Sequence, residues 1–199
     1  MQLSAPAIVC SARPHGETGV IARLMTERYG LIAAYVAGGR GRQLRPVLIP
    51  GNVVDAELRQ RSESQLPFAR LELVISRGPW LGEPLPAAAI GWACALAAST
   101  LPERHAYPSI YQALSALLDA VCHAPSARGW LPGLLAYETL VLRELGYGGS
   151  GPPDSPDPAA PLAAFDVLGQ QLERYLLADR RGDVMGARVL LRQRLARIS

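Results

Sequence analysis

Val53-Val54-Asp55-Ala56-Glu57-Leu58-Arg59-Gln60-Arg61 is the stretch whose reading decides the fold of the first part of this chain. Val54, Ala56 and Leu58 fall on one side of an extended backbone, and Asp55, Glu57, Arg59 and Arg61 on the other. Such period-two alternation belongs to a half-buried strand. Residues 68–75 repeat the pattern, with Ala69, Leu71, Leu73 and Ile75 opposite Arg70 and Glu72. Residues 5–13, 20–26 and 31–37 supply three earlier strands, joined by turns at Pro14-His15-Gly16 and Tyr29-Gly30.

Five short strands within the first 76 residues favour a small closed barrel, because closure removes the unpaired sheet edges. The five-stranded oligonucleotide-binding (OB) barrel is the natural candidate. Gly and Pro cluster over residues 78–86, and the apolar period then becomes helical. Ile110, Leu114, Leu117, Leu118 and Val121 form one stripe, with Pro108 placed for a first turn. Leu134, Tyr137, Val141 and Leu145 form a second, followed by Gly146 where a left-handed cap belongs. Phe165, Leu168, Leu172, Tyr175 and Leu176 form a third. A last helix capped by Asp183 would bury Val184, Ala187, Leu191, Leu195 and Ile198. The expected class is therefore α+β: a barrel over residues 1–78 and an all-α domain over 79–199, interrupted by a Pro-rich loop at 148–161. The uncharged stretch after Glu83 is too short in its helical part, 87–99, to span a bilayer, and reads as a buried core helix.

Charge is divided unevenly over the 199 residues. Residues 1–80 hold ten Arg and six acidic residues, a balance of +4, whereas residues 81–199 hold ten Arg and eleven acidic residues, a balance of −1. A basic N-terminal half calls for an anionic partner. Every basic residue is Arg, a side chain suited to phosphate, although the abundance of Ala, Gly and Pro points to base composition as a sufficient cause. Cys10, Cys94 and Cys122 are far apart and odd in number, which fits neither a disulfide framework nor a zinc site. With no basic-then-apolar leader at the N-terminus, a cytoplasmic protein is expected.

The glycine-flanked arginines Arg40, Arg42 and Arg45 can track a phosphate backbone from a flexible loop. Arg13, Arg23, Arg59 and Arg61 lie on or beside strands, the last two sharing a face by parity. Tyr29, Tyr35 and Phe68 are the only aromatic residues before Trp80. Tyr35 and Phe68 are candidates for the core, so binding is expected to depend mainly on charge. Catalytic signatures are absent: His15, His105 and His123 are isolated, and there is no HExxH, P-loop, GxGxxG or GxSxG.

Two phrases carry a family resemblance. One is Gly16-Glu17-Thr18, followed by Thr26-Glu27, Gly30 and Gly38-Gly39-Arg40-Gly41-Arg42; the other is Tyr137-Glu138, Leu140, Leu142, Leu145-Gly146-Tyr147. In this order and separation they resemble the bacterial RecO family of recombination mediators. The resemblance implies an OB domain that binds single- and double-stranded DNA, here through Arg13, Arg23, Arg40, Arg42, Arg45, Arg59 and Arg61. It also implies a non-enzymatic role in DNA repair and homologous recombination: annealing strands and helping load recombinase on protein-coated gaps with RecR and RecF. The helical domain would bind partners, among them the acidic tail of single-stranded-DNA-binding protein. Leu135 and Ala136 stand where some relatives have basic residues, which moves the expected contact to Arg143, Arg188 and Arg192. Many relatives carry a four-cysteine zinc site after the second phrase; the 148–161 loop has no Cys, so neither zinc nor another cofactor is expected. An OB-fold RNA-binding protein and a purely protein-binding adaptor are the alternatives.

Overall fold

A computed structural model describes residues 2–60, 62, 65–148, 160–178 and 184–197 of the chain. Five strands form a closed barrel in the order β1-β2-β3-β5-β4: β1 Gln2–His15, β2 Gly19–Thr26, β3 Gly30–Val36, β4 Val53–Arg59 and β5 Phe68–Ile75. Neighbours are antiparallel except β3 and β5, which meet in parallel at Tyr35 and Phe68. The expected OB barrel is therefore present. Alternation fills its interior: Ala7 and Val9 from β1, Ala22 and Leu24 from β2, Ile32 and Ala34 from β3, Val54, Ala56 and Leu58 from β4, and Leu71 from β5 are all buried together. Small residues alternate with large ones, as a narrow barrel requires.

The alternation of β5 holds for its first half only. Ala69 and Leu71 pack on the core, but Leu73 and Ile75 are exposed, and a register shift between Val53 and Val54 marks the end of the strand. At the other end of the β3–β5 seam, a later segment takes over. Leu31 bridges Glu103, and Arg104 donates its backbone N–H to the Leu31 carbonyl at 2.8 Å and its Nη2 to Gln60 Oε1 at 3.0 Å. Residues 101–111 accordingly cluster with residues 1–82 in one compact unit; 83–100 and 112–199 form the other.

In the second unit the first helix, α1 Pro84–Thr100, is buried on nearly all sides through Trp92, Ala93, Leu96 and Ala97, as its uncharged sequence requires. It is followed by α2 Pro108–His123, α3 Leu131–Glu144, α4 Ala160–Leu172 and α5 Val184–Leu195. No helix among the described residues is long and apolar enough to cross a membrane. At the end of α3, Gly146 adopts φ +90°, with Gly146 N–H bonded to the Arg143 carbonyl at 3.0 Å and Tyr147 N–H to the Leu142 carbonyl at 2.9 Å. This paired arrangement satisfies two terminal carbonyls and needs the left-handed conformation that glycine adopts without a Cβ penalty. The third stripe departs from expectation at Tyr175, which is exposed and stacks on Tyr147 at 5.3 Å. Residues Glu173–Leu177 form a π-helical turn, whose extra residue shifts Tyr175 off the buried side. The cap expected at Asp183, the buried position expected at Ile198 and positions 149–159 of the loop expected at 148–161 lie outside the described residues, while the last two positions of that loop already belong to α4.

A buried ion pair ties these helices together. Glu138 on α3 is 0% exposed and Arg188 on α5 is 5% exposed. Arg188 Nη2 donates to Glu138 Oε2 at 2.8 Å and its Nε to Oε1 at 3.1 Å, while Trp92 Nε1 on α1 donates to Oε1 at 2.7 Å. The guanidinium also donates to the Phe165 carbonyl on α4 and lies 3.6 Å from the Phe165 ring centroid. Gly169 makes room for it: a Cβ there would stand 2.2 Å from Nη1. Burial pushes the Glu138 carboxyl above its usual range, while Arg188 and the Trp92 N–H pull it down.

Removing one member strands the other in a dry site. Glu138→Ala is expected to lower unfolding stability by about 3–5 kcal/mol. The paired replacement Glu138→Leu with Arg188→Met should recover most of that loss, leaving a residue from the unpaired Trp92 N–H. Thermal and urea unfolding of the three chains measures the difference.

Candidate nucleic-acid interface

The strand register draws a row across the outside of the barrel. Arg13 pairs with Ile21, Ile21 with Tyr35, Tyr35 with Phe68, and Phe68 with Arg59. Directly paired residues share a face, and the chain neighbours Ala12, Ala22, Ala34, Ala69 and Leu58 all pack on the core, so the row faces outward. Four strand spacings of about 4.8 Å put its two arginines about 19 Å apart along the surface. Both are exposed.

Between them lie aromatic rings. Phe68 is 54% exposed and Tyr35 half-buried, so neither belongs to the core where the sequence reading placed them. Their rings meet edge to face at 5.4 Å, and His15 adds a third at 6.0 Å from Tyr35. The Tyr35 ring lies across the backbone of Gly19, where a Cβ would stand 2.3 Å from a ring carbon. The signal for this was present in β5 itself: the parity that turns Ala69 and Leu71 inward turns Phe68 outward with Arg70 and Glu72.

The basic loop meets the Arg13 end of this row. Arg40 donates its backbone N–H to the Thr18 carbonyl at 3.1 Å and its Nη1 to the Glu17 carbonyl at 2.9 Å, clamping the loop to the β1–β2 turn. Arg40 and Arg45 line a cleft of about 440 Å³ with Pro14, Val20 and Leu48. Arg42 is exposed on the loop between them. Arg23 differs from the other candidates: its Nη2 makes an ion pair with Glu103 at 3.0 Å, eighty positions away, so its charge is already compensated. Arg61 lies outside the described residues. The structure thus brings Arg40 and Arg45 beside the Arg13 end of the row, carries Arg59 at the row's other end and assigns Arg23 to an intramolecular pair.

In the helical unit the three expected partner-binding arginines separate. Arg188 is buried in the pair with Glu138 and is not offered at a surface. Arg192 grips Asp166 with Nε and Nη2 at 2.7 and 2.8 Å, and those hydrogen bonds hold the Asp166 carboxyl below its usual range. Arg143 is exposed and stands on an apolar groove of about 690 Å³ formed by α2 and α3, lined by Leu117, Trp130, Ala136, Tyr137 and Leu140. Among the described residues no group of three or more His, Cys, Asp or Glu could hold a metal ion, and the three cysteines are buried.

Residues 1–77 match the family model described as Recombination protein O N terminal, and residues 84–150 the model described as Recombination protein O C terminal. The chain is 38% identical over 151 residues to the DNA repair protein RecO of Gluconacetobacter diazotrophicus, a match covering 74% of this chain and 59% of that one. It is 40% identical over 150 residues to the protein of that name from Phenylobacterium zucineum, and 41% identical over 150 residues to that from Caulobacter vibrioides, each match covering 74% of this chain and 60% of the relative. The matched part of the chain thus spans about three-fifths of these relatives' length.

Because Gly19 leaves the space that Tyr35 occupies, Gly19→Ala should displace the ring and cost about 1–3 kcal/mol, the usual range for overpacking. A change in the environment of Tyr35 and His15, read from their aromatic proton shifts, together with a lower melting temperature, is the expected outcome.

Proposed function

Because this chain belongs to the RecO family, we propose that it acts in DNA repair and recombination by holding DNA at the basic end of its barrel, without bond chemistry of its own. The observation that carries this reading is the gathering of Arg40 and Arg45 beside Arg13 and the clamped β1–β2 turn of an OB barrel, with Arg59 at the far end of the same outward row. Guanidinium groups there neutralise phosphates and release counterions, a contact indifferent to base sequence and weakened by salt. Arg42, exposed on the same loop, and Arg61, beyond the end of β4, would add to it. Arg23 would contribute only if its pair with Glu103 opened.

Family membership also supports binding to both single and double strands, annealing of complementary strands, and work alongside RecR and RecF in loading recombinase. The apolar groove with Arg143 at its margin supports an acidic, apolar-tipped peptide as the partner of the helical unit, the chemistry expected of the tail of single-stranded-DNA-binding protein. A cytoplasmic protein acting on the nucleoid fits this role.

A fluorescence-anisotropy titration of a labelled single strand against salt tests the DNA reading. The native chain should bind at low salt and lose affinity with a logarithmic slope of roughly −0.7 per phosphate contact. Arg40→Ala/Arg42→Ala/Arg45→Ala should weaken binding and flatten that slope by up to about two units. Absence of binding at low salt would overturn the proposal in favour of a protein-binding adaptor, and a strong preference for RNA of the same sequence would favour recognition of the 2′-hydroxyl.

A further inference from the structure

Charge alone leaves the aromatic centre of the row unexplained. A phenylalanine more than half exposed beside Arg59 in a cross-barrel row is not packed for stability, since its burial is incomplete and its inward-facing neighbours, Ala69 and Leu71, already fill the core. The ring is nevertheless held: Phe68 is pinned edge to face by Tyr35, which in turn rests on Gly19 and meets His15. A fixed, open ring flanked by guanidinium groups combines a flat apolar face with charge complementary to an anionic chain. Beyond the row, the outer faces of β4 and β5 carry exposed Asp55, Glu57 and Glu72 against a single Arg70, a net negative surface that disfavours an anionic strand running down the strands.

We infer that Phe68, supported by Tyr35, is a stacking platform for an unpaired nucleobase, and that this face therefore prefers single-stranded DNA over duplex. The inference rests on the DNA-binding reading above. In a duplex both faces of each base are already covered by stacking, so a protein ring can take a base only from an unstacked strand. Arg13 and Arg59 then hold the phosphates on either side, while the ring adds affinity that salt does not remove. Stacking is indifferent to base identity because every base has a π-face, which suits a protein that must accept any sequence.

The test uses the full chain, a thymidine oligonucleotide and an abasic oligonucleotide of equal length and charge, titrated by anisotropy. The native chain should favour the base-bearing strand by at least about fivefold, the lower limit for one stacked base. Phe68→Ala should abolish that preference and leave the salt slope unchanged, and Phe68→Trp should restore it. Equal affinity of the native chain for the two strands, or an undiminished preference in Phe68→Ala, overturns the platform while leaving the phosphate-binding reading intact. Failure of the native chain to bind either strand at low salt overturns both. The two-strand comparison on the native chain decides the matter even if a variant folds poorly.

Discussion

Closure of the barrel at one parallel contact governs the N-terminal unit. Four of the five seams are long antiparallel ladders, but β3 and β5 meet only where Tyr35 faces Phe68, with Tyr35 N–H bonded to the Pro67 carbonyl at 2.8 Å. Without that contact both strands would present open edges. With it, the two aromatic side chains are carried to the outside of the same row, because paired residues share a face. The backbone constraint that completes the fold is thus the one that assembles the ring surface, and Gly19 leaves the space in which the Tyr35 ring lies. Where the seam opens toward Leu31, Glu103 and Arg104 take the place of β5, which explains why a segment far along the chain belongs to the barrel unit.

The helical unit is organised by the opposite device, a polar group in its centre. Glu138 receives hydrogen bonds from α1 and α5, while the same Arg188 reaches the backbone of α4. Apolar stripes alone would let these helices slide or rotate past one another at small cost; a carboxylate that must meet both an indole N–H and a guanidinium admits one arrangement. Such a pair adds less net stability than its geometry suggests, since both charges leave water, and its effect is better understood as fixing the relative register of four helices. The aromatic-Glu phrase that carries the resemblance is therefore a structural centre: Tyr137 bonds the Ala93 carbonyl at 3.0 Å while Glu138 closes the network.

Much of the architecture was legible before any coordinates. Alternation in 53–61 and 68–75 located β4 and β5, with β5 correct at both ends, and the helical stripes located α2 and α3 and the Gly146 cap. What local pattern cannot carry is pairing across long separations. Nothing near Arg23 announces Glu103, and nothing near Arg188 announces Glu138, fifty positions earlier. Both arginines therefore read as surface charge although each completes an internal pair. The exposure of Phe68 was a different failure. Its parity was available, but an aromatic residue in a strand is taken for core unless the phase of its neighbours is weighed first, and that weighing places it with Arg70 and Glu72.

This sorting of arginines bears on how a chain without lysine can use one basic residue for every purpose. Arg188 serves the core because its delocalised charge is weakly hydrated and its flat face can lie on Phe165 and near Trp92. Arg40 serves a turn because its planar fork can meet backbone carbonyls while the rest of the group stays in water. Arg192 matches a carboxylate with two parallel hydrogen bonds. An ammonium would do each of these less well. What distinguishes the arginines left for an external anion is position rather than chemistry: Arg13 and Arg59 end a row whose middle is aromatic, on a face whose acidic residues lie to one side. A net charge of +3 says little about nucleic-acid binding; guanidinium groups at both ends of an aromatic row, with two more beside Arg13 and the acidic residues to one side, say considerably more.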